Sequence, residues 1–223
     1  MNRAKLLEFF DATQVNDRIN VVGCGAIGSH MCEQLARLGF TKVYLYDFDL
    51  VEAHNITNQM FTHEDIGSLK VDACAEMMKR INPEIKVFTC ADGLEAPYIL
   101  SGAIILCVDN IDLRRAIVQA NQYNPNCTCI MDFRMRLTDA QYYFAERNNF
   151  ERMKQLLATM DFSHEEAVDA TPRSACGYEL SVIYTVKMIV SAGVANLVKY
   201  YLNDKTMKVI LVDTNMFTLD AFE

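Results

Sequence analysis

The chain has 223 residues, a formal net charge of −8 and a composition that is 51% apolar and 22% charged. This length suits one large domain or two small ones, and the balance of apolar and charged residues is that of an ordinary globular protein. The acidic excess argues against a general nucleic-acid-binding protein, because neutralising a phosphate backbone needs clustered lysine and arginine.

Strand and helix signals alternate through the first half of the chain. A short β-branched run ends at 20–22 and leads into a glycine loop. The apolar residues from Ala26 to Leu38 then recur at helical spacing, and Gly39 is placed to cap that helix. The same reasoning predicts strands at 42–46, 86–90, 103–108 and 128–132 and helices at 68–81 and 112–122. This order predicts an α/β fold with a Rossmann-like, mostly parallel sheet and helices on both faces.

The second half of the chain carries weaker signals. We predict a strand at 141–145, a short helix at 150–160, a long helix at 179–202 and a last strand at 207–212. The polar stretch 161–177 has no clear period and is interpreted as a loop. Some strands in this part are expected to pair antiparallel. Because no repeat, linker or clear boundary interrupts the chain, we expect a single domain over residues 1–223.

The cysteines and the hydropathy pattern favour a cytoplasmic protein. Most of the eight cysteines lie in apolar runs, where a free thiol packs as a small hydrophobe, and we assign all except Cys176 to the core. The amino-terminal stretch lacks a long apolar signal core. Lys187 and Lys199 interrupt the most apolar segment too soon for a membrane span, so we expect no contact with a membrane.

The glycine loop predicts a nucleotide site. Gly23, Gly25 and Gly28 follow a strand and open a helix, as a phosphate-binding turn requires. Glycine permits the tight turn and close backbone approach, and the amino end of the helix favours negative charge. Asp47 ends the next strand and is suited to accept hydrogen bonds from ribose hydroxyls. Up to this point NAD and ATP fit equally well.

The residues after Asp47 separate these two cofactors. An NAD site has no need of the second acidic residue Asp49, nor of Asn55, Gln59 and Lys70. An ATP site that forms an acyl-adenylate does, because cationic and amide donors must surround the triphosphate. A Mg²⁺ ion held by carboxylates would neutralise the departing pyrophosphate.

These residues carry a family resemblance. The chain resembles the ThiF/MoeB/HesA family, bacterial relatives of ubiquitin-activating enzymes, whose pattern joins a glycine loop to Asp-x-Asp, Asn-x-x-Arg-Gln, Gly-x-x-Lys and Asn-Pro. A later Asp-Asn is matched by Asp109 and Asn110. The resemblance is dense over residues 19–145 and thinner beyond, and it makes the predicted domain one of ThiF type.

The resemblance implies a reaction and roles for single residues. Family members bind ATP and Mg²⁺ and adenylate a carboxylate, usually the C-terminal glycine of a ubiquitin-like or sulfur-carrier protein. By motif position, Asp47 would bind ribose, Lys70 the phosphates and Asp109 the Mg²⁺. Asn55 and Gln59 would line the triphosphate pocket. The resemblance also implies a homodimer, in which an amino-terminal arginine reaches the partner's ATP.

One position departs from the family pattern, because the arginine of Asn-x-x-Arg-Gln is Asn58 here. Arginine would offer a fixed cation and a bidentate fork to the γ-phosphate, and asparagine offers neither. Either another cation takes its place, with Arg134, Arg136, Arg3 and Arg18 as candidates, or adenylation is slow or absent. The chain also lacks the paired Cys-x-x-Cys motifs that hold a structural zinc in many members, so we predict no zinc.

Cys176 is the cysteine singled out for chemistry. In some relatives a cysteine at the equivalent place takes the activated carboxylate as a thioester or acyl-disulfide. Arg173 and the predicted helix start would both favour a thiolate, although an incidental loop cysteine fits the sequence equally well.

Three hypotheses follow from the sequence. The leading one is an ATP-dependent adenylating enzyme with Asp109, Lys70 and Cys176 as its catalytic residues. The second is a member that binds nucleotide or a partner but has lost the chemistry, which Asn58 favours. The third, an NAD-dependent dehydrogenase, is disfavoured by the residues between Asp47 and Lys70.

Overall fold

A computed structural model describes residues 1–177 and 179–223. Its strands are β1 (Ile19–Val22), β2 (Lys42–Tyr46), β3 (Lys86–Cys90), β4 (Gly102–Leu106), β5 (Cys127–Arg136), β6 (Asp139–Glu146), β7 (Val209–Asp213) and β8 (Thr218–Phe222). Its helices are α1 (Ala26–Leu38), α2 (Lys70–Ile81), α3 (Ile111–Asn121), α4 (Phe150–Ala158), α5 (His164–Asp169) and α6 (Ile183–Tyr201).

The strands form one eight-stranded sheet in the order β3-β2-β1-β4-β5-β6-β7-β8. The pairs from β3 to β5 are parallel, and those from β5 to β8 are antiparallel. The long strand β5 continues past its last pairing with β4 and runs on beside β6. The chain order reverses between β1 and β4, and in such sheets ligands bind in the crevice outside the carboxyl ends of the strands at this point.

Helices cover both faces of the sheet, which confirms the predicted fold class. One apolar cluster joins α1, α2 and α6 to the sheet, and a second joins α3 and α4 to the other face. All residues of β4 are buried, as expected for a strand that is covered on both sides. In α6, Gly193 leaves room for an aromatic ring, since a Cβ there would lie 2.3 Å from Cζ of Phe133. No helix within the described residues combines the length and the apolarity that a membrane crossing needs.

The second half of the chain differs from its prediction in three places. The helix α5 lies inside the stretch predicted as a loop, and it begins at a capping box between Ser163 and Glu166. The long helix α6 begins at Ile183 rather than at residue 179. Strand β8 was not predicted. Its five residues are all exposed, so the strand depends on its pairing with β7 rather than on a buried face.

Candidate functional site

The glycine loop joins the carboxyl end of β1 to the amino end of α1. Gly23 has a φ of +93°, and its N–H donates to the carbonyl oxygen of Tyr46 at 2.8 Å. A Cβ on Gly28 would lie 1.9 Å from the Gly23 carbonyl oxygen, so the turn itself requires this glycine. A Cβ on Gly25, by contrast, would meet no atom of the described residues within 4 Å. The packing of the protein therefore explains Gly23 and Gly28 but leaves the space above Gly25 open.

Asp47 ties the end of β2 to this loop. Its Oδ2 accepts from the N–H of Cys24 at 2.6 Å, and its Oδ1 accepts from the N–H of Asp49 at 2.8 Å. Burial raises the pKa of the Asp47 carboxyl above its ordinary value, while these two N–H groups and the Lys70 charge act in the opposite direction. The carboxylate thus lies beside the glycine loop, at the position that the sequence predicts for a ribose ligand.

Lys70 is brought to the same edge of the sheet. It is the first residue of α2, and its Nζ lies 2.7 Å from Oδ2 of Asp49. Its backbone N–H also donates to the Asp49 carbonyl oxygen at 2.9 Å. The side chain of Lys70 is only 10% exposed, whereas that of Asp49 is 50% exposed. The structure therefore places these two predicted residues together as an ion pair whose acidic partner faces solvent.

Asn55 and Gln59 lie in the segment between β2 and α2. Asn55 is buried, and its Oδ1 accepts from the N–H of Glu52 at 2.9 Å within a capping box. This contact gives Asn55 a structural task in addition to its predicted role. The Oε1 atom of Gln59 is buried and has no hydrogen-bond partner among the described residues. A buried acceptor without a partner costs free energy, so Gln59 is the better of the two candidates for a ligand contact.

Helix α1 holds this segment from its second turn. The His30 Nε2 and the Asn58 carbonyl oxygen are 3.1 Å apart, and the Ser29 hydroxyl accepts from the N–H of Met60 at 3.1 Å. Burial lowers the pKa of His30, and the Asn58 carbonyl and Glu33 partly oppose that shift. The backbone of Asn58 is therefore fixed, although its side chain carries no charge.

Asp109 lies at the carboxyl end of β4, beside the glycine loop. A Cβ on Gly23 would lie 2.8 Å from the N atom of Val108, so the two segments are in close contact. Asn110 begins α3 by accepting from the N–H of Leu113 at 3.0 Å. Asp109 also lines a cavity of about 480 Å³ that opens on the side of β5 and β6. Polar side chains from those strands and from α3 share the cavity wall, among them Arg114, Arg134, Arg136, Asp139 and Tyr143.

A buried ionic cluster forms the inner wall of this cavity. Asp132 is 0% exposed and pairs with Arg114 from α3 and with Nε of Arg134, the latter at 2.7 Å. The Arg134 guanidinium also donates to the carbonyl and hydroxyl oxygens of Thr159, both at 2.8 Å, and lies 4.8 Å from the centroid of the Tyr143 ring. Neither Arg114 nor Asp132 carries a predicted role. No local spacing links the two, because they are 18 residues apart on different elements.

Four arginines are candidates to replace the family arginine that is Asn58 here, and they divide into two groups by position. Arg134 and Arg136 line the cavity, but Arg134 is committed to its partners described above. Arg3 pairs with Asp11 at 2.6 Å beside the carboxyl end of α1. Arg18 precedes β1 at the opposite edge of the sheet. Within one subunit, Arg136 is therefore the candidate that lines the cavity without an ion pair among the described residues.

Cys176 is exposed and lies in the loop before α6. The Leu180 N–H donates to the Pro172 carbonyl oxygen at 2.9 Å, and Arg173 pairs with Glu179 at 3.5 Å, so the loop folds back on itself. The Arg173 charge is thus shared with a carboxylate, and α6 begins well after Cys176. The two features predicted to favour a thiolate are weaker than the sequence indicated. Glu179 also lines the cavity that contains Asp109.

Comparison with protein-family models matches residues 10–222 to the model described as the ThiF family. Among curated proteins, ubiquitin-like modifier-activating enzyme 5 of Culex quinquefasciatus is 34% identical over 120 residues, which cover 44% of this chain and 29% of that protein. The protein of the same name from Arabidopsis thaliana is 30% identical over 123 residues, which cover 46% of this chain and 28% of that protein. The matches therefore span less than a third of these relatives.

Solved structures show the same architecture. PaaA superposes with a TM-score of 0.72 at 16% identity, over 93% of this chain and 64% of its own. The Escherichia coli MccB structure with ATP superposes with a TM-score of 0.68 at 17% identity, over 92% of this chain and 63% of its own. At these identities the likeness shows a shared fold.

Proposed function

The chain belongs to the ThiF family, and from that premise we propose that it uses ATP and Mg²⁺ to adenylate a carboxylate. The proposed carboxylate is the C-terminal glycine of a ubiquitin-like or sulfur-carrier protein. The observation that carries the proposal is the open space above Gly25, between two glycines that the turn requires. The amino end of α1 borders that space, and helix amino ends bind phosphate through their free N–H groups and dipole. The names of the curated relatives and the MccB structure with ATP agree with this proposal.

The chain's own residues divide the work. Gly23, Gly25 and Gly28 shape the phosphate cradle, and Asp47 accepts from the ribose hydroxyls with the lone pairs that the loop N–H groups leave free. Lys70 is preset by Asp49 at 2.7 Å, so its ammonium group is held near the cradle before ATP arrives. Its three N–H donors allow contact with a phosphate and with Asp49 together.

A metal ion fits the carboxylates at this edge of the sheet. Asp109 offers oxygen ligands beside the glycine loop, as Mg²⁺ prefers. When bound there, Mg²⁺ would neutralise charge on the departing pyrophosphate. The Oε1 atom of Gln59, which is buried and has no hydrogen-bond partner among the described residues, adds a polar group for the nucleotide. We assign Asp109 to the ion, Asp49 and Gln59 to the nucleotide, and Asn55 to the support of that wall.

We also propose that Cys176 receives the activated acyl group. Its thiolate would attack the acyl carbon of the adenylate, the bond from that carbon to the AMP oxygen would break, and AMP would leave with the electron pair. The thiol proton would pass to solvent. Two observations support this step. The Cys176 thiol is exposed, and Glu179, at the end of the same loop, lines the cavity that contains Asp109.

A second candidate function is a nucleotide-binding or partner-binding member with impaired chemistry. Asn58 favours it, because a fixed backbone there presents a neutral side chain. The commitment of Arg134 to Asp132 and Thr159 favours it too, since that guanidinium is not free to replace an arginine at position 58.

We extend the proposal to a cytoplasmic homodimer. The homodimer rests on the family resemblance. Ile183, Tyr184 and Met188 on α6 are apolar and partly exposed, which agrees with a surface that a second subunit covers.

ATP–pyrophosphate exchange with candidate carrier proteins tests adenylation. We expect exchange that depends on the carrier and disappears in Asp109→Asn and Lys70→Ala. Asp139→Asn is the matched control, because Asp139 is an exposed carboxylate in the same cavity. Calorimetric binding of ATP–Mg²⁺ without exchange for any carrier would contradict the enzyme and favour the second candidate. Binding of NAD in preference to ATP–Mg²⁺ would contradict adenylation and favour an NAD-dependent dehydrogenase.

Intact mass measurement tests the acyl transfer. A thioester adduct should form on wild-type protein after incubation with ATP and carrier, and it should be cleaved by hydroxylamine. Cys176→Ala should lose the adduct and keep exchange, whereas Cys90→Ala should retain both. An adduct that persists in Cys176→Ala would assign the transfer to another residue.

A further inference from the structure

Three cysteines meet behind the glycine loop. Cys24 lies in the loop directly before α1, Cys32 lies on α1, and Cys74 lies on α2. Their Sγ atoms are all within 4.8 Å of one another, and all three residues are 0% exposed. Each of these cysteines is predicted to lie in the core, but their distance in sequence gives no sign that they meet.

The geometry is close to that of a three-sulfur metal site. Metal–thiolate bonds of about 2.3 Å in a trigonal arrangement place the sulfur atoms roughly 4 Å apart. The observed upper limit of 4.8 Å leaves a contraction within reach of small side-chain rotations. Each sulfur comes from a different turn or helix, so one ion would join the loop to both helices.

The ligand set selects the class of ion. No fourth histidine, cysteine, aspartate or glutamate of the described residues joins the cluster. Structural zinc sites are almost always closed by four ligands, whereas thiolates are soft ligands that suit Cu(I). All three cysteines are 0% exposed, which disfavours a water molecule as the fourth ligand. We therefore propose that Cys24, Cys32 and Cys74 form a binding site for one Cu(I) ion.

The surroundings of the cluster favour neutral thiols. The hydrogen bonds among the three thiols shift their pKa values in both directions, and burial leaves each pKa well above its ordinary value. The Asp47 carboxylate raises the pKa of Cys24 and Cys74 further. Bound Cu(I) supplies the positive charge that three thiolates need and releases their protons to solvent.

Anaerobic titration with Cu(I) against a chromophoric Cu(I) chelator tests the site. Because the cluster is buried, Cu(I) is added both to native protein and during refolding. We expect one bound equivalent in at least one of these preparations. Cys32→Ser and Cys74→Ser should each weaken the affinity at least tenfold. Cys129→Ser, another fully buried cysteine on β5, is the matched control and should bind as wild type does.

Two measurements on the wild type keep the proposal falsifiable if a variant fails to fold. Bound Cu(I) should raise the thermal unfolding midpoint, since it binds the folded state. X-ray absorption should show three sulfur neighbours at one copper distance. Binding no tighter than that of the Cys24→Ser, Cys32→Ser, Cys74→Ser triple variant would overturn the site. Fewer than three sulfur neighbours, or displacement by equimolar Zn²⁺, would overturn the assignment to a three-coordinate Cu(I) ion.

Discussion

Replacing Asp132 with asparagine removes the carboxylate that lies between two guanidinium groups. The Arg114 side chain is 6% exposed, and its other hydrogen bond is a long one of 3.5 Å to the Leu106 carbonyl oxygen. Arg134 has more hydrogen-bond partners besides Asp132, because Thr159 accepts two hydrogen bonds from it. Breaking a buried pair from one side costs about 3–5 kcal/mol. We expect the lower end, about 3 kcal/mol, because one of the two arginines keeps strong partners and asparagine still accepts a hydrogen bond.

Urea unfolding followed by circular dichroism measures this change. For a chain of this size, the same loss corresponds in thermal unfolding to a fall of roughly 6–12 °C in the midpoint temperature. The dependence of the free energy on urea should stay unchanged if the folded state is preserved. Asp139→Asn, in the same cavity but exposed, should stay within about 0.5 kcal/mol of wild type. A loss below about 1 kcal/mol for Asp132→Asn would refute the reasoning, because it would show that Arg114 does not need its buried counter-charge.

Gly28→Ala places a Cβ 1.9 Å from the Gly23 carbonyl oxygen and should abolish calorimetric ATP binding with a loss of about 1–3 kcal/mol in stability. Gly25→Ala should weaken ATP binding but leave urea stability within about 1 kcal/mol, and a large stability loss there would contradict an open cradle. Burial lowers the pKa of His30, so the unfolded chain takes up the proton first as the pH falls. Stability from this group is complete above about pH 6.5 and declines below it until the pH reaches the folded-state pKa. In wild type the urea midpoint should therefore fall as the pH is lowered below about 6.5, and this fall should be smaller in His30→Gln. An unchanged dependence on pH in the variant would rule out His30 as its source. Gly193→Ala drives a Cβ to 2.3 Å from an aromatic ring and should cost about 1–3 kcal/mol of unfolding free energy, whereas a neutral result would mean that the ring moves freely.

The first half of the fold is predictable from the sequence because its local signals agree with its tertiary structure. The apolar stripe and Gly39 predict the bounds of α1, which the structure reproduces. The second half is less predictable because tertiary contacts decide it. Strand β5 runs four residues past its predicted end at Asp132, since β6 supplies partners that no local pattern encodes.

In the candidate site, too, some residues are predictable from local spacing and others are not. Motif spacing identified Asp47, Asp49 and Lys70, and the structure places them together at the carboxyl edge of the sheet. The pairing of Arg114 with Asp132 depends on how α3 packs against the sheet, which spacing alone does not reveal. The convergence of three cysteines depends on how α2 packs against α1.

The length of β5 sets the depth of the cavity. Its pairing with β4 ends where Leu106 lies opposite Asp132, and the four residues from Phe133 to Arg136 continue beside β6 alone. At about 3.3 Å per residue, this overhang extends roughly 13 Å beyond the end of the parallel strands. Because β7 pairs with the same part of β6 and β8 pairs with β7, the overhang belongs to four neighbouring strands rather than to an isolated hairpin. Adding or removing one pair of opposite residues where β5 leads into β6 would lengthen or shorten the cavity wall near Asp109 by about 3.3 Å. The buried part of the sheet would stay in place.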